Sequence, residues 1–204
     1  KEIIMTDVKL DANGQPLPVR KSTRNKDPKP QMDMWTRLKN PTGTIFLPEI
    51  LKAVSKEKLE EDRVKMLVLW VQRGMVIQNT NYTKNYEVLY ALMECLYSPK
   101  VIFDLPSGKP PYKENEALSY NDVSLTLYTG IRKIKQFAEN PDKVANKIKR
   151  ENIFIEMLEK LYKDEAELFL MMVNKKLDAR VYPNINKELF KKCFPNINLW
   201  KIAQ

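Results

Sequence analysis

Residues 60–74 read EEDRVKMLVLWVQRG, and this stretch decides the fold class. Three acids open it, where they favour the positive end of a helix dipole. Gly74 closes it, at a position glycine often takes just past a helix end. Between them Val64, Leu67, Val68 and Val71 recur at helical spacing, and Met66, Leu69 and Trp70 make the second half apolar nearly all round. Such a helix has neighbours on several sides, so the pattern predicts a central helix ending at Arg73. Ser55 is a suitable N-cap for it.

Working outward, Leu47-Pro48-Glu49 puts proline in a first turn, where its missing N–H costs nothing, and predicts a short helix to about Val54. A third helix is expected over about Lys84 to Tyr97, with Leu89, Leu92, Met93 and Leu96 at helical spacing and Pro99 behind it. Residues 99–118 hold Pro106, Gly108, Pro110 and Pro111 and read as a loop. Asn121 or Ser119 then caps a helix whose apolar face is Val123, Leu127, Ile131, Ile134 and Ala138, ended by Asn140-Pro141. Shorter helices are expected near 142–149, 151–162, 164–177 and 186–193. There is no internal repeat. The expected fold class is all-α: a multi-helical single domain over 41–204, preceded by an extended arm over 1–40.

The arm differs in composition. Glu2 to Leu10 suits one strand, ended by the turn signal Asp11-Ala-Asn-Gly14, which leaves room for a short β-hairpin. Gln15 to Gln31 carries four prolines and the cations Arg20, Lys21, Arg24, Lys26 and Lys29, with Asp27 among them. A segment of this kind buries no apolar surface of its own and is ordered only when something ties it down. It is therefore expected to dock on a protein partner, on another copy, or across the protein's own flank. Lys1 stands where an initiator Met would, so the chain is expected to start after processing or inside a longer product.

Composition excludes several function classes. The longest apolar runs, such as 66–71 and 168–173, are far short of the roughly 20 residues a bilayer span needs, so no membrane partner is expected. The two cysteines, Cys95 and Cys193, are too few for a disulfide framework or a tetrahedral zinc site, and Cys95 reads as a buried inert thiol. A reducing cytoplasm fits this usage. There is no histidine, which removes the commonest general base and metal ligand. The acids cluster at 60–62, 114–116 and 164–167, at helix starts or in a loop, where solvated roles suit them. With five glycines in the chain, no phosphate-cradling loop can be assembled. The expectation is a non-enzyme with no cofactor, no metal and no small-molecule substrate.

The net charge of +9 favours polyanionic partners through long-range attraction and counterion release. Part of it has a blander origin: 27 Lys, 16 Asn and 14 Ile track AT-rich coding, as in many large tailed phages. The cations fall in two groups. Arg132, Lys133, Lys135, Lys143, Lys147, Lys149 and Arg150 lie within 19 residues. Lys143, Lys147 and Arg150 are spaced to share one helix face, with Val144 and Ile148 on another. The second group is Lys175, Lys176, Arg180, Lys187, Lys191 and Lys192, with Asn186 opening a helix after Pro183. A basic face beside an apolar anchor suits a phosphate backbone, while charge runs are more often solvated helix faces. Tyr82, Tyr86, Tyr90 and Tyr97 read as part of an apolar helix rather than a stacking platform, which favours duplex over single-stranded nucleic acid.

The last 50 or so residues resemble the end of the N-terminal helical DNA-binding domain of phage-type ATP-dependent DNA ligases. The likeness rests on Glu165-Ala-Glu-Leu-Phe-Leu-Met-Met-Val173, Lys175-Lys-Leu177, Ile185-Asn-Lys187 and Phe194-Pro-Asn-Ile197. It implies contact with duplex phosphates at Arg180, Asn186 and Lys187. Asp178-Ala-Arg180 stands where that family has a glycine, and no Lys-x-Asp-Gly nucleotidyl-transfer motif occurs. The resemblance is to a binding domain without its catalytic partner.

Two functions are therefore expected. The first is a phage-encoded accessory protein that grips duplex DNA through Arg132, Lys133, Lys143, Lys147, Arg150, Lys176, Arg180, Asn186, Lys187 and Lys191, working in the host cytoplasm. The second is a subunit of a virion or other large assembly docked through its arm, or an inhibitor of a host protein.

Overall fold

In the computed structural model of the protein, the Trp70 side chain is wholly buried, and the helices are arranged around it. The structure describes residues 32–40, 43–75, 79, 81–105, 108–139 and 147–202, with side chains left out at 135, 136, 138, 139, 201 and 202. The chain divides into two units, residues 1–32 and 33–204, and every described element belongs to the second. The expected strand over 2–10, the turn after it, and the arm cations Arg20, Lys21, Arg24, Lys26 and Lys29 lie outside the described residues.

The protein is all-α. Its helices are α1 (Met34–Lys39), α2 (Leu47–Lys56), α3 (Glu60–Arg73), α4 (Lys84–Tyr97), α5 (Leu127–Glu139), α6 (Lys147–Lys160), α7 (Lys163–Val173), α8 (Lys187–Cys193) and α9 (Leu199–Ile202), with a 3-10 turn at Tyr120–Asp122. No strand occurs among the described residues. α3 packs against α1, α2, α4 and α8; α4 also packs on α5 and α7, and α6 lies on α7. That arrangement follows from the breadth of the apolar surface of α3: Met66, Leu67 and Trp70 are buried, and Val64 and Val71 pack at the margin. Among the described residues no helix is long and apolar enough to cross a membrane.

Several boundaries differ from the expectation, among them the end of α7, at Val173 rather than 177. The helical body begins at Asp33 rather than at residue 41, because Asp33 caps α1 by accepting from the Thr36 N–H. Leu38 is then buried in the core, and the Trp35 indole donates to Glu57 at 3.0 Å. Ser55 does not cap α3. It sits buried in the last turn of α2 and donates back to the Leu51 carbonyl at 2.8 Å; Leu59 precedes α3 with no side-chain cap. Ser119 caps only the 3-10 turn, and α5 starts later, at Leu127, so Val123 is not part of it.

The start of α5 is held from a distance. Its Leu127 N–H donates to Oε1 of Glu165 on α7 at 3.1 Å, and Glu165 is completely buried. Burial pushes this carboxyl from 4.5 up to about 8; the Leu127 hydrogen bond opposes the shift, and nearby Glu49 and Asp164 reinforce it. Between those two values the folded chain keeps a proton that the unfolded chain has released, so stability falls as pH rises from about 4.5 to about 8 and then levels off. Glu165→Gln, which keeps an acceptor for Leu127, is expected to flatten that slope and to raise the melting temperature at pH 8. Thermal unfolding of both proteins from pH 5 to pH 8.5 checks it, and parallel slopes would refute the assignment.

Candidate functional site

Two features of the helical body bear on function: the basic helix faces and a cleft at the ends of α3, α4 and α5.

The basic groups are not equivalent. In the first, Arg132 and Lys133 of α5 and Lys147 of α6 are exposed and hold no ion pair among the described residues. Lys133 lies close enough to Glu156 of α6 to help hold that carboxyl low, behind the stronger effect of Lys160. Lys149 is also exposed; Lys143 lies outside the described residues, as does the side chain of Lys135.

Arg150 corrects the expectation. It is 8% exposed and forms a hydrogen-bonded ion pair with Asp104 in the loop after α4, so it does not share an open face with Lys147. Instead of two short helices there is one α6, and Phe154, Met157 and Leu158 fix its buried side. At about 100° per residue Arg150 falls roughly 40° from Phe154, whereas Ile148 falls roughly 120° away. Ile148, expected as the apolar anchor, is accordingly 69% exposed.

Half of the C-terminal group is matched by acids. Arg180 pairs with Asp178 through two nitrogens and holds that carboxyl down at about 2. Lys191 pairs with Glu188 and Lys192 with Glu60. The Lys175 ammonium donates to the Ser98 carbonyl at 2.8 Å. Asn186 is the N-cap of α8, accepting from the Leu189 N–H at 2.9 Å, so its side-chain oxygen is already engaged. Lys176 is exposed and Lys187 half-buried, neither in an ion pair among the described residues.

A tyrosine ladder is the feature that sequence reading missed. Tyr82 is 56% exposed and stacks on Tyr86 at 4.9 Å; Tyr86 continues to Tyr90 at 5.9 Å and meets the Phe194 ring edge-on. Spacing of four residues puts Tyr86 and Tyr90 on one side of α4, and Tyr82, just before the Thr83 cap, stacks on the first of them.

The cleft, about 550 Å³, opens beside the link between α1 and α2. Its walls are Ile45 and Phe46 of that link, Arg73 to Met75 at the end of α3, Lys84 and Asn85 at the start of α4, Tyr120 and Asn121, and Thr126 and Tyr128. A buried polar network fixes these pieces against one another. The Trp70 indole donates to the Ile45 carbonyl at 2.9 Å, and the Asn85 amide donates to the Trp70 carbonyl at 2.6 Å. The Tyr128 hydroxyl lies 2.7 Å from the Asn85 oxygen and 3.0 Å from the Ile45 carbonyl. Thr83 both caps α4 and donates to the Val71 carbonyl. Arg73 ties the link down by donating to the carbonyls of Asn40 and Gly43. Burial raises the Tyr128 hydroxyl well above its usual range, reinforced by Glu165 and Glu49 and opposed by Arg73. No carboxylate lines the cleft among the described residues, and no group of acids and cysteines there could hold a metal ion.

The chain belongs to a family of unknown function (DUF6433), which matches residues 50–179, more than half of its length. The matched region runs from α2 to just beyond α7 and so includes α3, α4, α5 and most of the cleft. No curated protein and no solved structure matches the chain.

Two substitutions test the geometry. A Cβ on Gly74 would lie 2.8 Å from Asn85 Cγ, so Gly74→Ala is expected to destabilise the fold by about 1–3 kcal/mol through overpacking, read as a lower midpoint in urea. Arg150→Ala is expected to cost on the order of 2 kcal/mol through its buried stem and lost pairing, whereas Lys147→Ala stays within about 0.5 kcal/mol. Equal effects in the same titration would put Arg150 back on an open face.

Proposed function

We propose that this member of the family is a non-catalytic protein that binds duplex nucleic acid along the exposed cations of α5 and α6. The supporting observation is the contrast between the two basic groups. Near the C-terminus Arg180, Lys191 and Lys192 face acids of the same chain, while Arg132, Lys133 and Lys147 stand in solvent without an ion pair among the described residues. Cations not matched internally are the ones that can displace counterions from a phosphate backbone. They stand on helices anchored by Leu127, Ile131, Ile134, Phe154 and Leu158, all buried, so their placement is fixed by the core.

Under this reading binding is weakly sequence-selective and steeply salt-dependent, because backbone contacts position a protein without reading bases. Lys176 and Lys187 extend the surface only if the same duplex reaches both groups. Composition typical of AT-rich phage genomes and the ligase-like C-terminal segment are in keeping with a phage accessory protein.

The ladder of Tyr82, Tyr86 and Tyr90 favours a second reading, in which single strands are held by stacking on the open face of Tyr82. Tyr82→Ala separates the two: it lowers affinity roughly ten-fold for single strands if a base stacks there, and leaves duplex binding unchanged.

The principal test is a duplex titration by fluorescence anisotropy at ~50 and ~200 mM salt. Affinity is expected to fall steeply with salt, and Arg132→Glu, Lys133→Glu and Lys147→Glu together to weaken binding and lower the salt slope by roughly one per lost contact. Arg180→Glu is expected to change little. Absence of binding at low salt, or affinity indifferent to salt, would end the proposal.

A further inference from the structure

We infer that the solvent side of α3 is a self-association face, on which a second copy of this chain packs its own α3 about a two-fold axis. The inference does not rest on nucleic-acid binding, and it begins from the helix itself. α3 is apolar nearly all round in its second half, and a helix of that kind is normally covered on every side. Met66, Leu67 and Trp70 are buried in the core. At about 100° per residue, Glu61, Val64, Lys65, Val68 and Leu69 occupy an arc of roughly 140° centred opposite them. Val64 reaches the margin of the core, but Val68 and Leu69 lie outside it, and Leu69 is 36% exposed. A groove of about 530 Å³ runs along the arc, lined by Glu60, Glu61, Val64, Lys65, Val68 and Lys192.

Two neighbouring helices frame the groove. Trp35 of α1 stands beside Lys65, with the ammonium 6.0 Å from the ring centre. Lys192 of α8 pairs with Glu60, which lies about 140° round the helix from Lys65. Between these two contacts Val68 is half-buried, while Glu61, Lys65 and Gln72 are exposed. A single apolar side chain in water needs no partner, but several on one side of the helix at the centre of the fold mark an interaction face.

The charges select the occupant. With a net charge of +9, two copies repel one another unless they meet where the surface is not positive. α3 meets that condition: Glu60, Glu61 and Asp62 offset Arg63, Lys65 and Arg73. Next to it Lys191 and Lys192 are met by Glu188 and Glu60, and Arg37 by Glu49. On α1 the N-cap Asp33 offsets Lys39. Lys56 and Lys58 stand before α3 with Glu57 between them, and Lys187 opens α8 five residues before Lys192. On the arc itself there is one acid, Glu61, and one cation, Lys65, a turn apart, with the valines beside them. A face with one charge of each sign around an apolar centre is self-complementary, because a two-fold axis turns the acid of each copy toward the cation of the other. A strongly charged partner, such as a nucleic acid or a basic peptide, finds no such match there. One helix face is a small contact beside that of a permanent dimer, so the association is transient, with a dissociation constant on the order of micromolar.

Sedimentation velocity of the full chain without nucleic acid, from ~1 to ~100 µM, reads the association. The wild type is expected to pass from monomer toward dimer across that range. Glu61→Lys leaves two cations on the arc and Lys65→Glu leaves two acids, so each variant alone is expected to remain monomeric. Mixed in equal amounts, the two are expected to associate at least ~10-fold more tightly than either does with itself, whatever the register of the helices. That recovery cannot come from a variant that fails to fold. Val68→Gln with Leu69→Gln should remove the dimer and leave the melting temperature unchanged, since neither side chain belongs to the core. A wild type that stays monomeric throughout has this face covered by something other than a second copy and overturns the inference. A dimer that survives any of these substitutions overturns it too, as does a mixture of the two charge variants that stays monomeric.

Discussion

The fold depends on how Trp70 is satisfied. Its indole is wholly buried, and a buried N–H without a partner costs about twice what an ordinary hydrogen bond contributes. The Ile45 carbonyl accepts it, and that one bond brings the link before α2 across the end of α3. The Trp70 carbonyl is then met by Asn85, and Asn85 by Tyr128, so four segments distant in sequence converge on one residue. A satisfied buried network of this kind narrows the geometries a chain can adopt, because any shift leaves a donor or acceptor unpaired. The cleft is the outer surface of the same network.

Charge is distributed by the same rule. Where a cation falls on the packed side of a helix it must find an acid, as Arg150 finds Asp104. Where it falls on the open side, the neighbouring sequence decides whether an acid is within reach. Asp178 lies two residues before Arg180 and Glu188 three before Lys191, so these cations are met locally. Arg132 and Lys133 have Ile131 and Ile134 on either side, with no acid in the same turn. The +9 net charge is thus uneven in its availability, and Arg132 and Lys133 of α5 are among the exposed cations without an ion pair among the described residues.

Much of the helical order was legible because the signals were strong and agreed with one another. The span of α4 matched its expected limits, having a threonine cap, a long apolar face and a proline beyond it. The end of α3 at Gly74 was legible as a helix stop, but its deeper cause was not: Asn85, eleven residues on, approaches so closely that a side chain has no room. The face of α6 was misread because Lys143, Lys147 and Arg150 made a convincing stripe, while the bulk of Phe154, Met157 and Leu158 fixes the orientation. Burial of an arginine is decided by a partner outside its own helix, and Asp104 sits 46 positions away. The cleft was invisible for the same reason, since its residues come from five separate stretches of chain. The tyrosine ladder was visible as spacing, yet exposure depends on which helices cover α4.

Arg150 and Glu165 show two ways to keep an ionisable group inside one body. Arg150 reaches toward an aspartate that is itself 57% exposed, so its charge persists at the margin where solvent still screens it. Glu165 has no cation beside it among the described residues. It accepts one backbone N–H and faces two further acids, which favours the neutral form across the physiological range. A neutral carboxyl can still cap α5, since its oxygen needs only a lone pair to accept the Leu127 N–H. Were Glu165 ionised, its charge would oppose that of Arg73 at the Tyr128 hydroxyl, where both act.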